Sequence, residues 1–269
     1  MTSDIFPPPF GGPHTLVPRR AVLAFGLAAV LAPALPGDAE AQPTIALPKD
    51  MLGREPSTIA SVRTLQPLVA LTFDDGPHPK NTPRLLDMLR EQKARATFYV
   101  IGDRVATWPK LAARIAEEGH EIGNHSWSHP DLSGYSDSAV LSQIDRTTQA
   151  VWHATGRPPV TFRPPYGAFT QRQRQMLHGA RKLPSILWDV DPRDWKRPGA
   201  ALVAQRILAG SRQGSIILSH DIHWGTVEAM PSTLDGLLRR GLRLTSVSEI
   251  IGWPRWQNRR FRQIASSGA

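Results

Sequence analysis

Short apolar runs rich in β-branched and aromatic residues recur along the chain at Pro67–Phe73, Ala96–Ile101, His120–Gly123, Val160–Arg163, Ser185–Val190, Ser215–Ser219 and Leu242–Ser246. Each has the length of a buried strand. Most of the intervals carry a helical pattern instead. Pro83–Lys93 sets Leu85, Leu86, Met88 and Leu89 at helical spacing, and Pro109–Glu118 opens with proline at a helix start. Ser136–Ala154, Gln171–Ala180, Ala200–Ala209 and Val227–Arg240 read the same way. Seven strands alternating with helices predict an α/β fold with a mainly parallel sheet. Closure into a distorted (β/α) barrel is the compact way to bury every strand.

The length of 269 residues suits one such barrel. The paired arginines Arg19 and Arg20 precede an apolar run from Ala21 to about Leu35, and Ala39-Glu40-Ala41 supplies small residues for cleavage. Residues 1–41 therefore read as a signal peptide, with twin-arginine export left open, and the expected location is periplasmic, cell-envelope or secreted. The run is shorter than the roughly 20 residues of a spanning helix, so no stable membrane span is expected once it is cleaved. Residues 42–66 read as a linker, 67–252 as the catalytic domain and 253–269 as a basic tail.

The net charge of +9 favours acidic polymers or surfaces without naming one. The C-terminal arginines are not interleaved with a nucleic-acid motif, and no nucleic-acid partner is expected. Cysteine is absent, which excludes disulfides and thiolate ligands; any metal must use imidazole and carboxylate.

Nearly every candidate catalytic group falls at the C-terminal end of an expected strand, where a parallel barrel gathers residues distant in sequence. Thr72-Phe73-Asp74-Asp75-Gly76-Pro77 ends the first run, and His125-Ser126-Trp127-Ser128-His129 follows the third. Arg163-Pro164-Pro165-Tyr166-Gly167 ends the fourth, Trp188-Asp189-Val190-Asp191-Pro192-Arg193-Asp194-Trp195 the fifth, and Leu218-Ser219-His220-Asp221 the sixth. Adjacent carboxylates at Asp74 and Asp75 repel unless a cation or a shared proton intervenes. His125 and His129, four apart, would face one ion from a helical turn. With Asp75 they form a His-His-carboxylate set that suits a first-row divalent metal. Non-haem iron oxygenases use the same ligand types, but a further histidine at His220 and a spare carboxylate at Asp74 are what amide hydrolysis requires.

These five motifs, in this order over about Pro67 to Ile251, resemble the polysaccharide deacetylase family with the NodB-homology domain, carbohydrate esterase family 4. The resemblance implies that Asp75, His125 and His129 bind a divalent metal, zinc foremost, with Co2+, Ni2+ or another first-row ion as alternatives. It implies Asp74 as catalytic base, the backbone N–H of Tyr166 as oxyanion donor, and His220 as the acid that protonates the leaving amine. Arg163 would tether Asp74. Asp191 would orient His220, with Asp194 the second choice, and Leu218 and Trp195 would line the acetyl pocket. The expected reaction removes N-acetyl groups from N-acetylglucosamine-type residues of peptidoglycan or a chitin-like polysaccharide. An O-acetyl esterase acting on xylan and a non-catalytic glycan-binding protein are the alternatives. His223, Trp224 and Trp127 stand beside the motifs as candidates for stacking on sugar rings.

Overall fold

The computed structural model describes residues 58–253. The expected signal peptide, residues 42–57 of the expected linker and residues 254–269 of the tail lie outside them. Among the described residues no helix is long and apolar enough to cross a membrane.

The sheet is built on β2 (Leu68–Asp74), whose continuous apolar run is buried on both faces from Val69 onward. β3 (Thr97–Val100) pairs parallel with it along one edge, and β4 (Glu121–Asn124) pairs parallel with β3. β6 (Ile216–Ile217) takes the opposite edge of β2. Ala70 pairs with Ile216 and also with Thr245 of β7 (Arg243–Thr245), so β7 lies on the β3 side, where β2 and β3 have not yet met. The N–H of Val247 donates to Thr97 Oγ1 at 2.9 Å, tying the chain after β7 to the foot of β3. Single bridges carry the ring onward, from Asn124 to Phe162, from Phe162 to Ser185 and from Val190 to Ile217. The architecture is thus a parallel α/β barrel with regular ladders on one side and isolated bridges on the other.

That asymmetry corrects the expected strand at Val160–Arg163. Only Phe162 bridges there, because Pro158, Pro159, Pro164 and Pro165 crowd the segment with residues that cannot donate to a ladder. The expected linker is also partly ordered into the sheet: β1 (Thr58–Ile59) pairs parallel with β5 (Ser185–Ile186).

The helices follow the expected pattern, with ends set by local chemistry. α1 (Asn81–Glu91) buries Leu85, Leu86 and Leu89; truncating one such leucine to alanine costs about 2–5 kcal/mol. α2 (Gly102–Thr107) is a short addition, and α3 (Pro109–Glu117) has its proline in the first turn. α4 (Asp137–Thr155) starts at Ser136, whose side chain accepts from Ala139 N–H, and stops at Gly156 with φ 68°. α5 (Gln171–Arg181) carries a Thr170/Gln173 capping box. α6 (Ala200–Gly210), α7 (Trp224–Arg239) and the short α8 (Val247–Ile250) complete the set. The main core runs from Val69, Leu71 and Phe73 through Phe98 and Ile122 to Leu234 and Leu237.

Candidate active site

The strand ends meet in a cavity of about 430 Å³ lined by Asp74, Asp75, His125, His129, Pro164, Tyr166, Trp188, Asp191, Trp195, Leu218, His220 and His223. Consecutive residues of a strand face opposite sides of a sheet. Asp74 and Asp75 both reach this cavity because Asp75 leaves the strand with φ 73°. The turn that follows passes close to Asp221. A β-carbon on Gly76 would lie 2.4 Å from Asp221 Oδ2, so only glycine fits. Burial pushes the fully enclosed Asp221 carboxyl up to about 7, against the Thr82 hydroxyl that donates to it.

The two adjacent carboxylates find separate cationic or polar partners. Arg163, wholly buried, donates from Nη1 to Asp74 Oδ1 at 2.7 Å and to Thr72 Oγ1 at 2.6 Å. Its Nε and Nη2 donate to the carbonyls of Ile186 and Leu187, both at 3.2 Å, and the guanidinium lies 4.2 Å from the Tyr99 ring. A buried charge with its donors matched in this way keeps Asp74 in one orientation.

Asp75 Oδ1 lies 3.5 Å from His125 Nε2 and 3.3 Å from His129 Nε2, and it is buried with no hydrogen-bond partner. His125 Nδ1 sits 2.7 Å from the Arg163 carbonyl. A carbonyl can only accept, so Nδ1 carries the proton and Nε2 turns its lone pair to the cavity. Three ligand atoms within 4.8 Å of one another fit one ion. Metal–ligand bonds of about 2.0–2.2 Å in tetrahedral geometry separate donors by about 3.4 Å. An orphaned carboxylate oxygen between two imidazole nitrogens at that spacing matches such a group. Burial opposes ionisation of Asp75, but the neighbouring imidazoles of His125, His220 and His129 hold its carboxyl well below the ordinary carboxylate range.

The histidine pair does not ride a helical turn as its spacing suggested. Residues 125–129 form a loop in which Ser126 (φ 65°) and His129 (φ 58°) are left-handed. Neighbours impose that shape. Asn124 Oδ1 accepts from Ser126 N–H at 2.9 Å, Ser126 Oγ from His129 N–H at 3.1 Å, and Gln143 Oε1 from the N–H groups of Trp127 and Ser128. Left-handed non-glycine residues recur here at Asp75, Ser126, His129 and Tyr166, and strain of this kind concentrates where surrounding structure enforces it for a site.

The structure revises the partner of His220. Asp191 Oδ1 accepts from Arg193 N–H at 2.8 Å and does not hold the imidazole. Arg193 (φ 54°) reverses the chain, and Asp194 opens the 3-10 turn Asp194–Lys196 beneath His220. Asp194 Oδ1 lies 2.8 Å from His220 Nδ1, while Oδ2 accepts from His220 N–H and from Thr226 Oγ1, both at 2.7 Å. Burial would lower the His220 pKa, but the Asp194 hydrogen bond and charge, with Asp74 and Asp75, raise it to about 9. Asp74 and His220 are bridge partners on neighbouring strand ends, so both side chains face the same space.

Tyr166, at φ 58°, sits in the 3-10 turn Pro165–Gly167. Its ring lies 4.6 Å from His129, and its N–H, the first available after two prolines, meets no acceptor among the described residues. Trp195 is half exposed and Leu218 buried, both on the cavity wall. Thr72 and Trp188 stood in the motifs without a role, and Asn124, Gln143 and Thr226 were not singled out by sequence. Asn124 lies beside a motif and was findable there, whereas Gln143 and Thr226 are isolated polar positions on helices.

The family model described as polysaccharide deacetylase matches residues 61–182. The chain is 42% identical over 184 residues to the peptidoglycan-N-acetylglucosamine deacetylase PgdA of Listeria monocytogenes serotype 1/2a, which covers 68% of this chain and 39% of PgdA. It thus spans about two-fifths of the length of that relative. Among solved structures, the Bc1960 peptidoglycan N-acetylglucosamine deacetylase superposes with a TM-score of 0.71 at 31% identity, covering 75% of this chain and 95% of that one. BA3943, a CE4 family pseudoenzyme from Bacillus anthracis, superposes with a TM-score of 0.70 at 27% identity, covering 74% and 70%. A shared fold therefore leaves activity to be argued from the site. With the fold, the five motifs and the matched sequence in agreement, this chain belongs to the polysaccharide deacetylase family.

Proposed function

We propose that the protein is a metal-dependent N-deacetylase, releasing acetate from N-acetylglucosamine-type residues of an extracytoplasmic polysaccharide, with peptidoglycan as the leading substrate. One observation carries the reading: a single cavity contains a buried tethered carboxylate, a three-residue cation site and an imidazole hydrogen-bonded to a buried carboxylate. Asp75, His125 and His129 would hold the metal, and our assignment is zinc. When bound, that ion supplies Lewis acidity to the acetamide carbonyl and acidity to a water molecule.

Asp74, oriented by Arg163, takes the proton of the attacking water as its oxygen adds to the carbonyl carbon. The Tyr166 N–H donates to the oxyanion that develops. His220, kept charged by Asp194, gives its proton to the amine nitrogen as the C–N bond breaks. Acetate and free amino sugar leave. Leu218 and Trp195 offer apolar surface to the acetyl methyl. A proton donor kept charged beside the leaving group suits an amide, because an amine departs far less readily than an alkoxide unless it is protonated. Charge of +9 and the N-terminal export pattern support action on an acidic envelope polymer.

The test is acetate release by the purified protein from peptidoglycan, chitooligosaccharide and acetylated xylan, with and without added divalent metal. Metal-dependent release from the N-acetylated polymers supports the proposal. Release from xylan alone overturns it in favour of the esterase, and no release from any substrate favours a glycan-binding protein.

A further inference from the structure

Asp221, the residue after His220, is a wholly buried carboxylate that the proposed reaction does not use. Its Oδ2 accepts from the hydroxyl of Thr82, in the first turn of α1. The Thr82 oxygen in turn accepts from His78 N–H at 2.7 Å, and Thr82 N–H donates to the His78 carbonyl at 3.1 Å. The other carboxyl oxygen, Oδ1, is buried with no hydrogen-bond partner among the described residues. Both oxygens and Cγ stand over Gly76, against the place a β-carbon would take. The Gly76 carbonyl accepts from Ile101 N–H at 3.0 Å, just beyond β3. The turn after Asp75 is therefore gripped twice, by a hydrogen bond from the end of β3 and by a carboxyl pressed on its glycine.

Asp75 depends on that grip. Its backbone is left-handed at φ 73°, a conformation that a non-glycine residue keeps where its neighbours enforce it. Its Oδ1 must stay between the imidazole nitrogens of His125 and His129, at 3.5 and 3.3 Å, and metal–ligand distances tolerate shifts of only about 0.2 Å. We propose that Asp221 is a positioning residue for the cation site: through Gly76 it fixes the turn that aims the Asp75 carboxylate, and so sets how tightly the three ligands hold their metal. The inference rests on the metal-dependent reading and deepens it, by naming a residue outside the ligand set that governs affinity. An apolar side chain would fill the same space without the cost of burying a carboxyl, but it could not accept from Thr82. A carboxyl serves both as a wedge on Gly76 and as an acceptor by which α1 holds that wedge in place.

The experiment titrates zinc chloride into the metal-free protein by calorimetry, with stability read in parallel from urea unfolding. Asp221→Ala removes wedge and acceptor together and is expected to weaken zinc binding about 10–100-fold, the usual range for a residue that orients a metal ligand. Asp221→Asn keeps the shape and an acceptor for Thr82, and its affinity is expected within about threefold of wild type. Thr82→Val leaves Asp221 present but unheld, and falls between the two. Leu86→Ala, a core truncation in the same helix, is expected to lower the urea midpoint and leave zinc affinity unchanged. Saturating zinc restores acetate release in Asp221→Ala toward the wild-type rate, because affinity and not chemistry has been lost. If Asp221→Ala does not fold, Thr82→Val carries the comparison. Wild-type affinity in folded Asp221→Ala or in Thr82→Val overturns the positioning role and leaves the metal site standing. An Asp221→Asn as weak as Asp221→Ala, or an equal loss in Leu86→Ala, overturns it as well. A wild-type protein that binds no zinc removes the cation site and this inference with it.

Discussion

Asp74 and His220, the two proton carriers we propose, face one cavity but are held by different parts of the molecule. Asp74 is fastened to the barrel interior. Its partner Arg163 bonds Thr72 and the carbonyls of Ile186 and Leu187, so the base, three segments and the core share one network. His220 is fastened from a loop, where Asp194 reaches it from a single 3-10 turn and is steadied by Thr226 at the start of α7. On the proposed reading, Asp74 has a buried guanidinium as its partner, and His220 has a carboxylate at its far ring nitrogen that keeps it protonated.

That contrast is broken most severely by Asp74→Asn, which keeps the shape but cannot take a proton. Turnover is expected to fall about 10³–10⁴-fold while metal affinity, measured by calorimetry, stays near the wild type. A next test is Arg163→Met, which strands Asp74 in the interior. Urea unfolding should show a loss of about 3–5 kcal/mol, a penalty that no change on the loop side should match.

Asp194→Asn acts on the acid alone. Activity is expected to fall about 10–100-fold, and more steeply on an amide than on an acetate ester, as followed by acetate release. It should also move the alkaline limb of the pH–rate profile. His220 is raised from its ordinary value to about 9, so the acid form is present below that value and activity declines as pH climbs through it. By linkage, the Asp194–His220 pairing stabilises the fold fully below the unfolded histidine value of about 6.5, and that contribution disappears as pH rises through about 9. Asp194→Asn removes the carboxylate and brings the limb down. A bound cation also opposes the charge on His220, so the limb of the metal-loaded enzyme is expected below about 9. The smallest effect belongs to Asp191→Asn, with activity within about threefold of wild type and the limb unmoved. A large loss there, with Asp194→Asn near normal, would return the orienting role to Asp191.

Much of the site was legible because strand ends in a parallel barrel converge by topology, so motifs at Asp74, His125, Arg163 and His220 could be assigned to one rim before their distances were known. Boundaries were less legible. The Val160–Arg163 run has strand composition, yet its flanking prolines leave only the bridge at Phe162. Thr58–Ile59 has no periodicity to announce it, and it becomes a strand because β5 offers an edge. The choice between Asp191 and Asp194 turned on one left-handed residue, Arg193, whose conformation no side-chain pattern signals.

Residue chemistry and its order along the chain were enough to propose a reaction class, since imidazole, carboxylate and guanidinium occur where a barrel's rim must lie. The tertiary fold alone decided which carboxylate serves which cation. Pairing depends on distances of about 3 Å, and such distances arise from backbone turns and packing far from the paired residues.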